Sequence, residues 1–259
     1  VEGRARLAAL RRQGRLHKVL VILRHGESEG NVAEHAVGHD LWYSTLSRQE
    51  EYMDPPLSPR GAAQAASLSR QIGGLNSQGL LRFDAVLTSP LTRTIQTTDV
   101  VFNATETWAP PIFVVEDLRA ILGLQTCNRR HSATWLREHF SFVDTSNLAT
   151  DRDELWDAVR QETDAELLSR AQHFVEWLWL QPESQVAIVS HHGFIGALRI
   201  ALGLEGDESH ERNDLSSQGQ FGDVPNAFAR VLVLASESPP KPMGVVGYGK
   251  MLLLLFLLK

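Results

Sequence analysis

Two short blocks of the chain carry residues suited to chemistry on an anion. Arg24-His25-Gly26-Glu27-Ser28 follows the apolar run Val19-Leu20-Val21-Ile22-Leu23, and Ser190-His191-His192-Gly193 follows a second run over residues 185–189. Short, β-branched-rich runs of this kind predict central strands that end in functional loops. In a parallel sheet both histidines then lie at the carboxyl edge, where ligands bind, and the nearby glycines permit close approach of a ligand. Between them, Thr88-Ser89-Pro90-Leu91-Thr92-Arg93 follows a third run and adds an arginine and a helix N-terminus. Arginine forks and helix-end N–H groups both suit phosphate oxygens, so the expected site is cationic and concave.

The elements that position these blocks alternate between strand and helix, the signature of an α/β sheet covered by helices on both faces. Strands are predicted at residues 19–23, 83–87, 112–115, 185–189 and 228–235. Ser58-Pro59 opens a helix expected to stop at Gly73-Gly74 near Ile72, and a further helix is predicted over 91–101. Residues 126–161 read as polar and irregular, with Asp151-x-x-Glu154 resembling a capping box ahead of Leu155-Trp156. A second box, Thr163-x-x-Glu166, starts an amphipathic helix to about Leu180, and Gly193–Leu202 forms the last one.

Composition narrows the function classes. The chain has 259 residues, 43% hydrophobic and 22% charged, ordinary values for a folded globular protein. A net charge of −6 argues against a general nucleic-acid footprint, and a single cysteine, Cys127, excludes a disulfide framework or a multi-thiolate metal site. The remaining histidines show no ligand spacing, so neither a metal nor another cofactor is expected. Residues 1–17 are expected to be a basic helix or extension, residues 18–235 the domain proper, and residues 236–259 a linker with an apolar tail. That tail, Met251 to Leu258, is eight residues long, against about 20 needed for a membrane span. With no secretory segment ahead of the first strand, the expected setting is cytoplasmic, and the oligomeric state is open.

Taken in order, Arg24-His25-Gly26-Glu27, Leu57-Ser58-Pro59-Arg60-Gly61, Ser89-Pro90-Leu91-Thr92-Arg93-Thr94 and Ser190-His191 resemble the histidine phosphatase superfamily of phosphoglycerate-mutase-like proteins. The resemblance implies a three-layer α/β/α sandwich on a mostly parallel sheet and a phosphatase-like enzyme acting on a small anionic metabolite. It implies His25 as the nucleophile that becomes phosphorylated, with Arg24, Arg93 and His191 lining the phosphate pocket and Asn31 and Glu27 at its edge. Arg119 and Arg129 are placed with the substrate. A mutase is disfavoured, since Glu116-Asp117-Leu118-Arg119-Ala120 stands where mutases of the family carry an E-R-H-Y-G-like block.

One block departs from the family pattern. Related chains read approximately L-R-E-x-L-G followed by C-D-x-R, whereas this chain reads Leu118-Arg119-Ala120-Ile121-Leu122-Gly123 and then Cys127-Asn128-Arg129-Arg130. Ala120 and Asn128 replace the carboxylates expected to protonate the leaving alcohol. Loss of general-acid help costs ~10²- to 10⁴-fold for a poor leaving group and little for an enol or acyl phosphate. Glu116 and Asp117 are candidate replacements, though they precede the expected position by four and three residues, a displacement on the order of 10 Å on extended backbone. His192 is a second departure, supplying either its backbone N–H or an acid/base imidazole. Proton-transfer, lyase or hydrolase chemistry on a carboxylate or carbonyl compound, or anion binding without turnover, are the alternatives.

Overall fold

In the computed structural model the described residues are 16–79, 81–103, 109–203, 226–227, 229–236 and 254–257. In chain order they form β1 (Leu16–Arg24), α1 (Glu29–Val37), α2 (His39–Ser44), α3 (Pro59–Ser77), β2 (Ala85–Thr88), α4 (Thr92–Thr98), β3 (Ile112–Val114), α5 (Ala133–His139), α6 (Asp164–Leu180), β4 (Gln185–Ser190), α7 (His192–Ala201), β5 (Ala229–Ser236) and β6 (Leu254–Leu257). The sheet order is β3-β2-β4-β1-β5-β6. Its first four strands are mutually parallel, and β5 and β6 add an antiparallel margin.

Successive side chains of a strand point to opposite faces, which explains why the unbroken apolar run in β1 needs two covering layers. Val19, Val21 and Leu23 pack with Ala65, Leu68 and Ile72 of α3 and with Ile95 of α4. Leu20 and Ile22 pack on the other face with Leu167, Ala171 and Phe174 of α6 and with Phe194 and Leu198 of α7. This is the expected three-layer α/β/α arrangement with a mostly parallel sheet.

Several boundaries differ from the sequence expectation. α3 passes through Gly73-Gly74 to Ser77, because Ile72 is buried and Leu75 still packs on the core. Two mid-helix glycines cost only about 1 kcal/mol each, and the chain leaves the helix at Gly79, whose φ of 65° is the left-handed conformation glycine tolerates. The predicted helix over 91–101 divides into α4 and a π-helical turn, Asp99–Asn103. No helix follows Asp151-x-x-Glu154. Asp151 instead receives the N–H groups of Ala133 and Thr134 at the start of α5, and Asp153 accepts those of Leu155 and Trp156. α1 and α2 were not predicted, since Ser28 caps α1 reciprocally with Asn31 rather than with the usual Glu or Gln. Leu254–Leu257, expected in an apolar tail, pairs with Arg230–Val233 as the outer strand. Residues 1–15 and 237–253, which hold the rest of the basic extension and linker, lie outside the described residues.

The loop after β1 is locked to the start of α3 by backbone contact. A Cβ on Gly26 would stand 2.4 Å from the carbonyl oxygen of Gly61, and one on Gly61 would stand 1.9 Å from that of Glu27. Ser58 adds the N-cap, its Oγ receiving the Gly61 N–H at 3.0 Å and donating to Glu27 at 2.8 Å. Neither backbone can retreat without leaving the sheet edge, so Gly61→Ala is expected to destabilise the protein by about 3 kcal/mol, read as a lowered urea midpoint with unchanged slope.

Candidate active site

Three strand ends converge on a cleft of about 210 Å³. Hydrogen bonds tie them edge to edge: the His25 N–H donates to the Ser190 carbonyl at 3.1 Å, and the Ser89 N–H to that of Val189 at 3.1 Å. His25 and His191 are buried, with ring centroids 5.0 Å apart at an interplanar angle of 57°. His25 Nδ1 lies 2.6 Å from the Gly26 carbonyl oxygen. A carbonyl only accepts, so the proton sits on Nδ1 and the lone pair on Nε2. His191 Nε2 meets Ser89 Oγ at 2.9 Å, and its Nδ1 is buried with no hydrogen-bond partner.

Both histidines are held well below the ordinary imidazole value, first by burial and next by the Arg93 guanidinium, with Arg24 adding to each. Arg93 is placed by α4, an almost wholly buried helix in which Thr94, Thr97 and Thr98 return their hydroxyls to carbonyls one turn back, as Thr97 does to Arg93 at 2.7 Å. Its fork donates to the Cys127 carbonyl at 2.9 Å and to Asn128 Oδ1 at 3.0 Å, with the Asp54 carboxylate at 3.9 Å. Asp54 takes up the Thr92 N–H and hydroxyl, and burial raises its carboxyl to about 6 against the pull of Arg93. Its φ of 44° is unusual for a side-chain-bearing residue and is held by these bonds.

Arg24, His25, Asn31, Arg93, His191 and His192 all line the cleft, together with Ala120 and Asn128. Asn31 Oδ1 accepts from the Ser28 backbone and from Asn226, which commits the oxygen and leaves the amide nitrogen for the cleft. The other expected site residues lie elsewhere, and each has a structural partner. Glu27 is bound to Ser58 and Arg60 at the start of α3. Arg119 is fully buried on Asp153, Glu116 and the Asn128 carbonyl. Arg129 pairs with Glu50 and covers the Trp156 ring. Glu116 is clamped between Arg119 and Arg130, and Asp117 lies near Arg170 and His173, so neither candidate acid reaches the cleft. Cys127 also lines the cleft, and burial pushes its thiol up to about 11, against the thiolate form.

Sequence reasoning missed Glu34, His39, Trp42, Tyr43 and Gln125, which also line the cleft. Glu34 was accessible through its i,i+3 spacing from Asn31 once α1 is recognised. Gln125 carries no sequence signal. It is 3% exposed, and its Nε2 has no hydrogen-bond partner.

The chain belongs to the histidine phosphatase superfamily (branch 1), whose sequence model matches residues 20–214. It is similar to the phosphoglycerate mutase-like protein of Arabidopsis thaliana, 30% identical over 213 residues, covering 73% of this chain and 76% of the relative. A second Arabidopsis thaliana relative, phosphoglycerate mutase-like protein 1, is 29% identical over 204 residues, with 69% of each chain covered. Among solved structures, the fold resembles the ecdysone phosphate phosphatase of Bombix mori in complex with tungstate, at TM-score 0.56 and 16% identity over 90% of this chain and 97% of that one. It also resembles a putative alpha-ribazole-5'-P phosphatase of Escherichia coli, at TM-score 0.51 and 18% identity over 83% and 90%. Among the described residues no helix is long and apolar enough to cross a membrane.

A histidine with a depressed folded-state pKa lets the unfolded chain take up a proton first, so stability falls as pH drops below the ordinary 6.5. Each contributes up to about 1.4 kcal/mol per pH unit. Asp54, protonated in the fold from about 6 and in the unfolded chain only near 3.8, offsets one of the two below pH 6. Stability is therefore expected to decline from pH 7 to pH 5, and His191→Gln to flatten that decline, as read by urea unfolding at fixed pH values. Gln125→Met removes the buried donor that has no partner and is expected to raise Tm by about 2–4 °C, checked by calorimetry without ligand.

Proposed function

We propose that this protein is a phosphatase acting on a small phosphorylated metabolite through a phosphohistidine at His25. The reading rests on one observation above others: the Nδ1–H to Gly26 bond leaves Nε2 as the lone-pair nitrogen of a neutral, buried imidazole between two arginines and a second histidine. Phosphate dianions repel nucleophiles, and fixed cations around the equatorial oxygens lower that barrier. His25 Nε2 attacks phosphorus while the P–O bond to the alcohol breaks. Water then attacks the phosphohistidine, the N–P bond breaks, and phosphate leaves with the imidazole restored.

In this reading Arg24, Arg93, Asn31 and His191 hold the phosphoryl oxygens, with the partnerless His191 Nδ1 aimed at one of them. His192 lies at the start of α7, where its backbone N–H adds a donor. Neither a metal nor a cofactor takes part. A cleft of about 210 Å³ has room for a phosphoryl group. The similarity to proteins named as phosphoglycerate mutase-like and as phosphatases agrees with a phosphorylated metabolite.

A second reading, anion binding without turnover, is favoured by Ala120 and Asn128, which put no carboxylate at those points of the cleft wall. One comparison separates the two. The wild-type protein is expected to release phosphate from p-nitrophenyl phosphate and to lose that activity by at least a thousandfold in His25→Ala. Phosphate binding with no turnover by the wild type would establish the second reading, and full activity in His25→Ala would exclude the first.

A further inference from the structure

The cleft has lost two acids at Ala120 and Asn128, yet one carboxylate still reaches it. Among the described residues lining the cleft, that carboxylate is Glu34, and it is hydrogen-bonded to a third imidazole, His39, at 2.8 Å. Glu34 sits three residues after Asn31 on α1, which places it about 4.5 Å further along the helix axis on the face that meets the ligand. Gly38, with a φ of 86°, turns the chain so that α2 opens with His39 against Glu34. The ring of Tyr43 lies over that of His39 at 5.4 Å and 28°, fixing its plane. Both side chains keep about a quarter of their surface exposed, so protons exchange with solvent, unlike at the buried His25 and His191.

We propose that the Glu34–His39 couple is the proton donor to the leaving group, replacing the carboxylates absent at Ala120 and Asn128. The assignment rests on the phosphatase reading above. A carboxylate only accepts, so His39 Nδ1–H faces Glu34 and the Nε2 side serves the ligand. Imidazole is the side chain that most often transfers protons in catalysis, and a carboxylate bonded to its other nitrogen fixes the ring and its tautomer. As the bond from His25 Nε2 to phosphorus forms and the P–O bond breaks, the Nε2 proton of His39 passes to the departing oxygen, leaving a neutral alcohol and a neutral His39. In the second step that neutral imidazole takes a proton from the attacking water and returns to its starting state. Glu34 and His39 line the same cleft as His25 and His191. The substrate class this implies is an alkyl phosphomonoester, since an acidic leaving group needs no such donor.

The test is the dependence of kcat/KM on leaving-group pKa, measured from p-nitrophenyl phosphate to glycerol phosphate in the wild type, His39→Asn and Glu34→Gln. The ratio between two substrates within one variant cancels any loss of folded protein. The donor role predicts that His39→Asn lowers activity toward glycerol phosphate about 100-fold more than toward p-nitrophenyl phosphate. Glu34→Gln shifts the ratio in the same direction, and adding Ala120→Glu to His39→Asn restores it. Wild-type ratios in both variants, with p-nitrophenyl phosphate still turned over, overturn the donor and leave the phosphatase reading standing. No turnover of any ester by the wild type overturns both.

Discussion

The site depends on the burial of guanidinium groups. Arg119, Arg130 and Arg93 are 0%, 3% and 6% exposed, and each such cation costs several kcal/mol to take out of water unless its donors are matched. The matches are what order the far side of the cleft. Arg119 forks onto Asp153 and reaches Glu116 and the Asn128 carbonyl. Arg130 holds Glu116 and the carbonyls of His131, Thr150, Asp151 and Arg152. Arg170 holds Glu162 together with the carbonyls of Asp117, Arg119 and Ala120. These partners span a segment whose secondary structure is one short helix and single 3₁₀ turns. The segment is ordered by the carboxylates and carbonyls it supplies to buried cations, in the way a metal site orders a loop.

That constraint also decides which carboxylates are available for chemistry. Glu116 cannot leave without removing the carboxylate that faces the buried Arg130 and one of the two that face Arg119, and Asp153 is held by Arg119 in the same way. Arg93 is treated differently: its near partners are a carbonyl and the neutral amide of Asn128, with Asp54 further off. Asparagine keeps the hydrogen bond an aspartate would make and omits the charge, so Arg93 presents more of its field to the cleft. The same field, acting with burial, keeps His25 and His191 neutral. Among the described residues lining this cationic cleft, the one carboxylate is Glu34.

Much of this was legible in the chain. The two histidines, Arg24, Arg93, Asn31 and the glycine-bearing turns fall at strand ends, and strand ends are set by local apolar runs and turn chemistry that act over a few residues. The alternation of strands and helices gave the layers by the same local logic. Gly73-Gly74 misled because a buried stripe on α3 outweighs two weak local preferences, and Asp151-x-x-Glu154 because Asp151 is drawn to the α5 N-terminus while Asp153, inside the box, is drawn to Arg119. Arg119, Arg129, Glu116 and Asp117 lie near Ala120 in sequence, yet contiguity says nothing about which way a side chain turns in an irregular segment.

The sequence by itself determined the fold, the nucleophile candidate with its cationic surroundings, and the absence of carboxylates at Ala120 and Asn128. Each of these is a matter of residue type at a locally encoded position. Only the tertiary structure decided that Glu27 is a latch, that Glu116 is a counter-ion, and that Glu34, His39 and Gln125 face the same cleft as His25. Those assignments follow from competition among distant groups for the partners that buried charges require, and such a competition is settled only when the chain is folded.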